Sequence, residues 1–293
     1  MKVIRKIVPK YNEEDIVGFK STDDFMDAYV ELLKNSIECL WQIVYHKYFN
    51  KDEEPLSLYR EDAVVAGNLV RLIKLNTSFL QNICELKMEI ALILNRCIAE
   101  TGINLKYLLI QTESNVRRNY IKHSLITEKD LWNTIKENIK HNSEEVLNIE
   151  KRMQISIQNS FESSDFELDE VNRSSKWKSI KSRADEVFNE QFYKVFYGMG
   201  SHSVHGNWQD VLSYSLNGID DKFKVKIEWN KPKPQLMDFA IFQNFDILKT
   251  FIDYELNDCS EKEILKYNYN ILSDCQRLLY SQSESYFASI NGL

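Results

Sequence analysis

Turn-forming residues are scarce in this sequence. Eight glycines and four prolines are spread over 293 residues, well below the usual shares of roughly 7% and 5%. Many short strands joined by tight turns would lack their punctuation here. Long helices meet the constraint, because a helix closes its backbone hydrogen bonds internally and asks for special conformations only at its ends. With 43% hydrophobic and 12% aromatic residues, the chain can also bury a large core. The expected fold class is all-α, a multi-helix bundle with one small β-hairpin.

From Thr22, read as an N-cap, apolar residues Phe25, Tyr29, Leu32, Leu33, Ile37, Leu40, Trp41 and Val44 recur at helical spacing. After the polar turn Asn50 to Pro55, helical runs are predicted over about Glu61 to Ile83 and Glu85 to Gln111. Shorter stretches follow, Glu128 to Ile139 capped by Thr127 and Glu144 to Ile157, and then a Ser-rich acidic loop from Ser160 to Ser175. A helix resumes from Asp185 to about His205. Alternating Phe223, Val225, Ile227 and Trp229 predict a strand, with Ser213 to Leu216 as hairpin partner across Asn217-Gly218. Helices over about Leu236 to Leu256 and Ser260 to Tyr286 complete the chain, the last with Ser260 and Glu263 as a capping box. The expectation is a single helical domain, residues 1–293, with its core in 22–111 and 185–287 and a more exposed insert at 112–184.

The five cysteines are odd in number and widely spaced, so they read as buried reduced thiols rather than a disulfide framework or a zinc ribbon. No signal-peptide pattern and no uncharged run of membrane-spanning length is present, which leads to the expectation of a cytoplasmic protein without a membrane anchor. The net charge of -7 and pI near 5.4 argue against a general nucleic-acid coat. Charge is uneven, however: Arg173, Lys176, Lys178, Lys181 and Arg183 surround Trp177 without an acid among them. They form either a solvated helix face or a local footprint for a nucleic-acid backbone.

Two polar constellations stand out. Ile90 to Ile110 is apolar nearly all round, yet Arg96, Glu100 and Asn104 fall at i, i+4 and i+8 on one stripe. They are either an ion pair that locks the bundle or the lining of a pocket, with Glu100 orienting Arg96 toward an anionic group. In the second, Tyr193, Tyr197, Ser201 and His205 share a face at i+4 steps, with Gly206 as C-cap. His205 is either a capping histidine or an acid–base group with a hydroxyl one turn away. His202 and His205 at i, i+3 could also ligate a metal with Glu100.

Arg118-Asn119-Tyr120-Ile121-Lys122-His123 resembles the Arg, polar, three residues, His pattern of HEPN ribonucleases, a helical family of prokaryotic toxins and defence proteins. More broadly, Arg96-Cys97-Ile98-Ala99-Glu100 with Asn104 and Tyr107, and Ser201 through Gly206, resemble a family of uncharacterised bacterial helical proteins, itself HEPN-like, over about residues 60 to 210. That resemblance implies a helical bundle and places the site at Arg96, Glu100, Ser201 and His205. Here, unlike in the HEPN pattern, Arg and His come from two helices.

The function expected on these grounds is metal-independent cleavage of RNA by a homodimer, a defence or toxin effector as the resemblance implies, with no cofactor. His205 is the acid or base, Arg96 neutralises phosphate charge, Glu100 orients a partner, and Ser201 positions substrate. Asn104, Tyr197, Arg173, Lys176 and Lys178 are the expected substrate-binding residues. Arg118 and His123 form the fallback catalytic pair. The alternatives are a non-catalytic binding or scaffolding module with a buried Arg/Glu/Ser/His network, and a metal-dependent hydrolase.

Overall fold

The computed structural model describes residues 4–111, 113–142, 146–172, 176–188, 192–194, 198–219 and 222–290. It is 74% helical. Among the described residues there are eleven helices: α1 (Glu13–Val17), α2 (Thr22–Tyr48), α3 (Arg60–Cys84), α4 (Met88–Ile110), α5 (Ser114–His141), α6 (Asn148–Ser164), α7 (Ile180–Val187), α8 (Gly198–His205), α9 (Trp208–Tyr214), α10 (Gln235–Tyr254) and α11 (Ser260–Ile290). A two-stranded antiparallel hairpin, β1 (Leu216–Ile219) and β2 (Lys222–Val225), lies between α9 and α10. The architecture is an all-α bundle carrying one hairpin.

Helix ends depart from the sequence reading where side chains chose other partners. Ser21, not Thr22, caps α2: its hydroxyl accepts from the Asp24 amide at 3.1 Å and Asp24 accepts in return from the Ser21 amide at 3.0 Å. Thr127 caps nothing, because α5 runs unbroken through it. The Ser260 hydroxyl donates to Glu261 rather than forming a box with Glu263. Asn217 and Gly218 sit inside β1, where Gly218 pairs with Phe223, so the strands are joined by residues 220–221, outside the described residues. Ile227 and Trp229 lie beyond the ladder. The five cysteines are free; only Cys39 is buried, and Cys84 is exposed.

The chain divides into two compact units, Met1–Ser57 with Val65–Ile110 and Ile180–Leu293, and Leu58–Val64 with Gln111–Ser179. The first holds the larger core, in which α10 packs against α2, α4 and α11. This core is not purely apolar. Fully buried Asn244 on α10 donates to Ser36 of α2 at 2.9 Å and exchanges amide hydrogen bonds with Asn76 of α3 at 3.0 and 3.2 Å. Asn76 also donates to the Leu72 carbonyl. Each bond contributes only about 1 kcal/mol net, but losing one partner strands a buried amide. These three helices are therefore held in one axial register as well as packed.

In the second unit, α5 and α6 pack around Ile121, Leu125, Ile135, Ile157 and Phe161. The segment expected as an acidic loop belongs to that core: α6 extends to Ser164, Asp165 ends it at φ 57°, and Phe166 and Val171 are buried beyond it. Asp165 also accepts from Arg60 at 3.2 Å. No helix among the described residues is long and apolar enough to cross a membrane.

Candidate functional site

Helix α4 is the centre of the larger unit, packed against α7, α8 and α10. Its close approach to α10 needs Gly102: a Cβ there would lie 1.9 Å from the Gln243 side-chain nitrogen. That buried amide donates to the Ala99 carbonyl at 3.1 Å. One turn on, Lys106 pairs with Asp246 of α10 at 2.8 Å, and burial holds the Asp246 carboxyl above its usual range even with the lysine beside it. One side of α4 is thus committed to structure.

The stripe of Arg96, Glu100 and Asn104 has different surroundings. Arg96 donates to Glu100 at 3.1 Å across one turn, with the Arg96 side chain 12% exposed and that of Glu100 48% exposed. The carboxylate is in water while the guanidinium is mostly covered. Such an i,i+4 pair, with the cation on the N-terminal side, contributes only a few tenths of a kcal/mol to a helix. Asn104 accepts from Arg183 of α7. Arg183, expected as part of a basic surface, is only 5% exposed. It is a residue of this site that sequence reasoning misassigned; its i+3 spacing from Ile180 and i−1 position to Ala184 on a short amphipathic helix were the available signal.

Helix α8 carries Ser201, His202 and His205 and ends at Gly206, whose φ of 56° is the left-handed conformation a glycine C-cap supplies. Asn207 then caps α9: its side-chain oxygen accepts from the Asp210 amide at 3.2 Å. This orients the Asn207 amide nitrogen toward His202 Nδ1, which accepts its hydrogen bond. This histidine serves the turn. His205 is exposed and, among the described residues, makes no hydrogen bond.

The structure thus packs the His205 helix on the Arg96 helix, while no hydrogen bond or ion pair among the described residues joins His205 to Arg96 or Glu100. Tyr197, Arg173 and the Ser201 side chain lie outside the described residues. Lys176 and Lys178 are exposed, but they belong to the second unit, where Trp177 between them is buried against Tyr120 with ring centroids 5.1 Å apart. In the fallback pair, Arg118 lies 3.9 Å from Asp165 and 4.5 Å from the Phe166 ring, and His123 is exposed. Five residues apart on α5, the two sit about 140° apart around the helix axis. Among the described residues no three His, Cys, Asp or Glu side chains gather so as to hold a metal, so His202, His205 and Glu100 form no such cluster.

The model of a family of unknown function, DUF5677, matches residues 62–224, more than half of the chain. The chain belongs to that family. The DUF5677 match runs from the first turn of α3 into β2, so Arg96, Glu100, Asn104, Arg183, Ser201 and His205 all fall within it, whereas Gln243 and Asn244 of α10 do not. No curated protein and no solved structure matches the chain.

Proposed function

We propose that this DUF5677 member is a HEPN-like endoribonuclease that cleaves single-stranded RNA without a metal, acting as a homodimer in the cytoplasm as a defence or toxin effector. The observation that carries this reading is the packing of α8, with its exposed and uncommitted His205, on α4, with the Arg96–Glu100 pair. A ribose 2′-hydroxyl would attack the adjacent phosphorus, His205 taking its proton, and the leaving 5′-oxygen would take a proton from water as its bond to phosphorus breaks. The products are a 2′,3′-cyclic phosphate and a 5′-hydroxyl end. Arg96, held by Glu100, offsets the charge that builds on the phosphate oxygens, a task suited to a guanidinium in a partly water-excluded position.

The binding-module reading is favoured by a different observation, the donation of buried Arg183 to Asn104, which commits part of the stripe to structure.

The deciding experiment incubates the full chain with single-stranded RNA in excess chelator and analyses product ends. The expected result is cyclic-phosphate termini formed by the wild type and at least a hundredfold slower by His205→Ala, the usual scale for a lost acid–base group. Absence of cleavage, or cleavage that survives His205→Ala, overturns the nuclease reading in favour of the binding module.

A further inference from the structure

The hairpin carries an exposed face that the site above does not use. In the β1–β2 register Gly218 faces Phe223 and Leu216 faces Val225, and residues directly opposite in an antiparallel pair share one face. Gly218 offers no side chain, so the Phe223 ring lies across bare backbone, its Cε1 3.9 Å from where a Cβ would stand. Trp208 of α9 meets the same ring edge-on, with centroids 5.6 Å apart at 89°. Trp208 and Phe223 are each about half exposed, and Val225 is 77% exposed. Contiguous exposed apolar surface of this kind marks an interaction site.

Charge chooses among partners. Lys222, Lys224, Lys226, Lys231 and Lys233 lie on or just after β2, against four acids, Asp210, Asp220, Asp221 and Glu228, from 208 to 233, in a chain whose net charge is -7. Lys222 and Lys224 share the opposite face of a ribbon only two strands wide, about 5 Å between strands, a width their side chains are long enough to span. Lysines at alternate positions discourage edge-to-edge pairing with a second copy. A polyanion with flat apolar faces satisfies both features.

We propose that this hairpin face binds single-stranded RNA, bases stacking on Phe223 and Trp208 while the lysines of the ribbon meet flanking phosphates. The choice of RNA rests on the nuclease reading; His205 is not one of the residues of this face. Base–aromatic stacking tolerates any sequence, and the lysine contacts make binding fall with salt.

The test measures fluorescence anisotropy of a labelled, unstructured RNA of about twelve nucleotides, within the range one such site spans, 2′-O-methylated so that no 2′-hydroxyl is available for cleavage. The Trp208→Ala/Phe223→Ala pair is expected to bind about tenfold or more weaker than the wild type, with its helical circular dichroism and mass in solution unchanged. Lys222→Glu/Lys224→Glu, which leaves the rings in place, is expected to weaken binding and flatten its salt dependence. Undiminished binding by both hairpin variants, or no binding by the wild type, overturns the proposal. So does a hairpin variant whose only change is a loss of oligomer mass, which would make the face a protein contact. Cleavage surviving His205→Ala would remove the nuclease reading and leave this binding result standing.

Discussion

The guanidinium of Arg183 on α7 donates to the side-chain oxygen of Asn104 on α4, and Arg183 is 95% shielded from water. A charge taken out of water stays only where its donors are met by acceptors in the right geometry. Arg183→Lys keeps the charge but loses the planar fork, and Asn104→Ala keeps the fork but removes an acceptor. Each is expected to destabilise the protein by about 1–3 kcal/mol, read as a lower urea midpoint at unchanged slope. An unchanged midpoint in both would show that this bond does not hold α7 to α4.

Gly102 sets the approach of α10 to α4. In Gly102→Ala the new methyl would occupy the place of the Gln243 amide, and that side chain cannot simply swing away, because it is buried and hydrogen-bonded to Ala99. Despite the gain in helix propensity, a net loss of about 1–3 kcal/mol is expected. Gly102→Ala/Gln243→Ala should lose less than the sum of its two single changes, since the clash is gone in the pair. Strict additivity in thermal or urea unfolding would contradict the steric account.

Asp238 on α10 predicts a pH effect. Burial pushes its carboxyl up to about 6, Glu284 adds to the rise, and the Gln276 amide at 3.1 Å offsets part of it. The native state therefore holds this proton more tightly than the unfolded chain does. Between about pH 4 and 6 the native state binds more protons, so stability from this group is present at low pH and lost as pH rises through 6. The loss is about 3 kcal/mol at most. Asp238→Asn should flatten the stability profile over that window and be more stable than wild type at pH 7. Parallel profiles for the two proteins would show that Asp238 ionises as it does in water.

Much of the fold was legible in residue spacing. The runs from Phe25 to Val44 and from Ile90 to Ile110 became α2 and α4, and the Gly206 stop fell where glycine supplies a left-handed backbone. Errors gathered at ends and turns. Ser21 and Thr22 are equally able to cap, and Asn217-Gly218 is a good turn pair; in each case a difference of one or two residues is decided by which backbone groups remain to be satisfied. The segment from 160 to 175 looked like solvated loop because its acids are counted easily, whereas Phe166 and Val171, the residues that bury it, show no period.

For the candidate site the sequence supplied a list of side chains and their helical faces, and membership of DUF5677 is itself a property of the sequence. It determined that Arg96 would meet Glu100, since one turn of helix joins them whatever surrounds it. Only the tertiary structure decided that Arg183 turns inward to Asn104 rather than outward to solvent, and that α8, with His205 uncommitted, packs on α4. The reason is physical. Helical periodicity is a local property of φ and ψ, but the fate of a charge or an imidazole depends on which acceptors distant segments bring within about 3 Å, and residues 79 apart in sequence leave no local trace of that meeting.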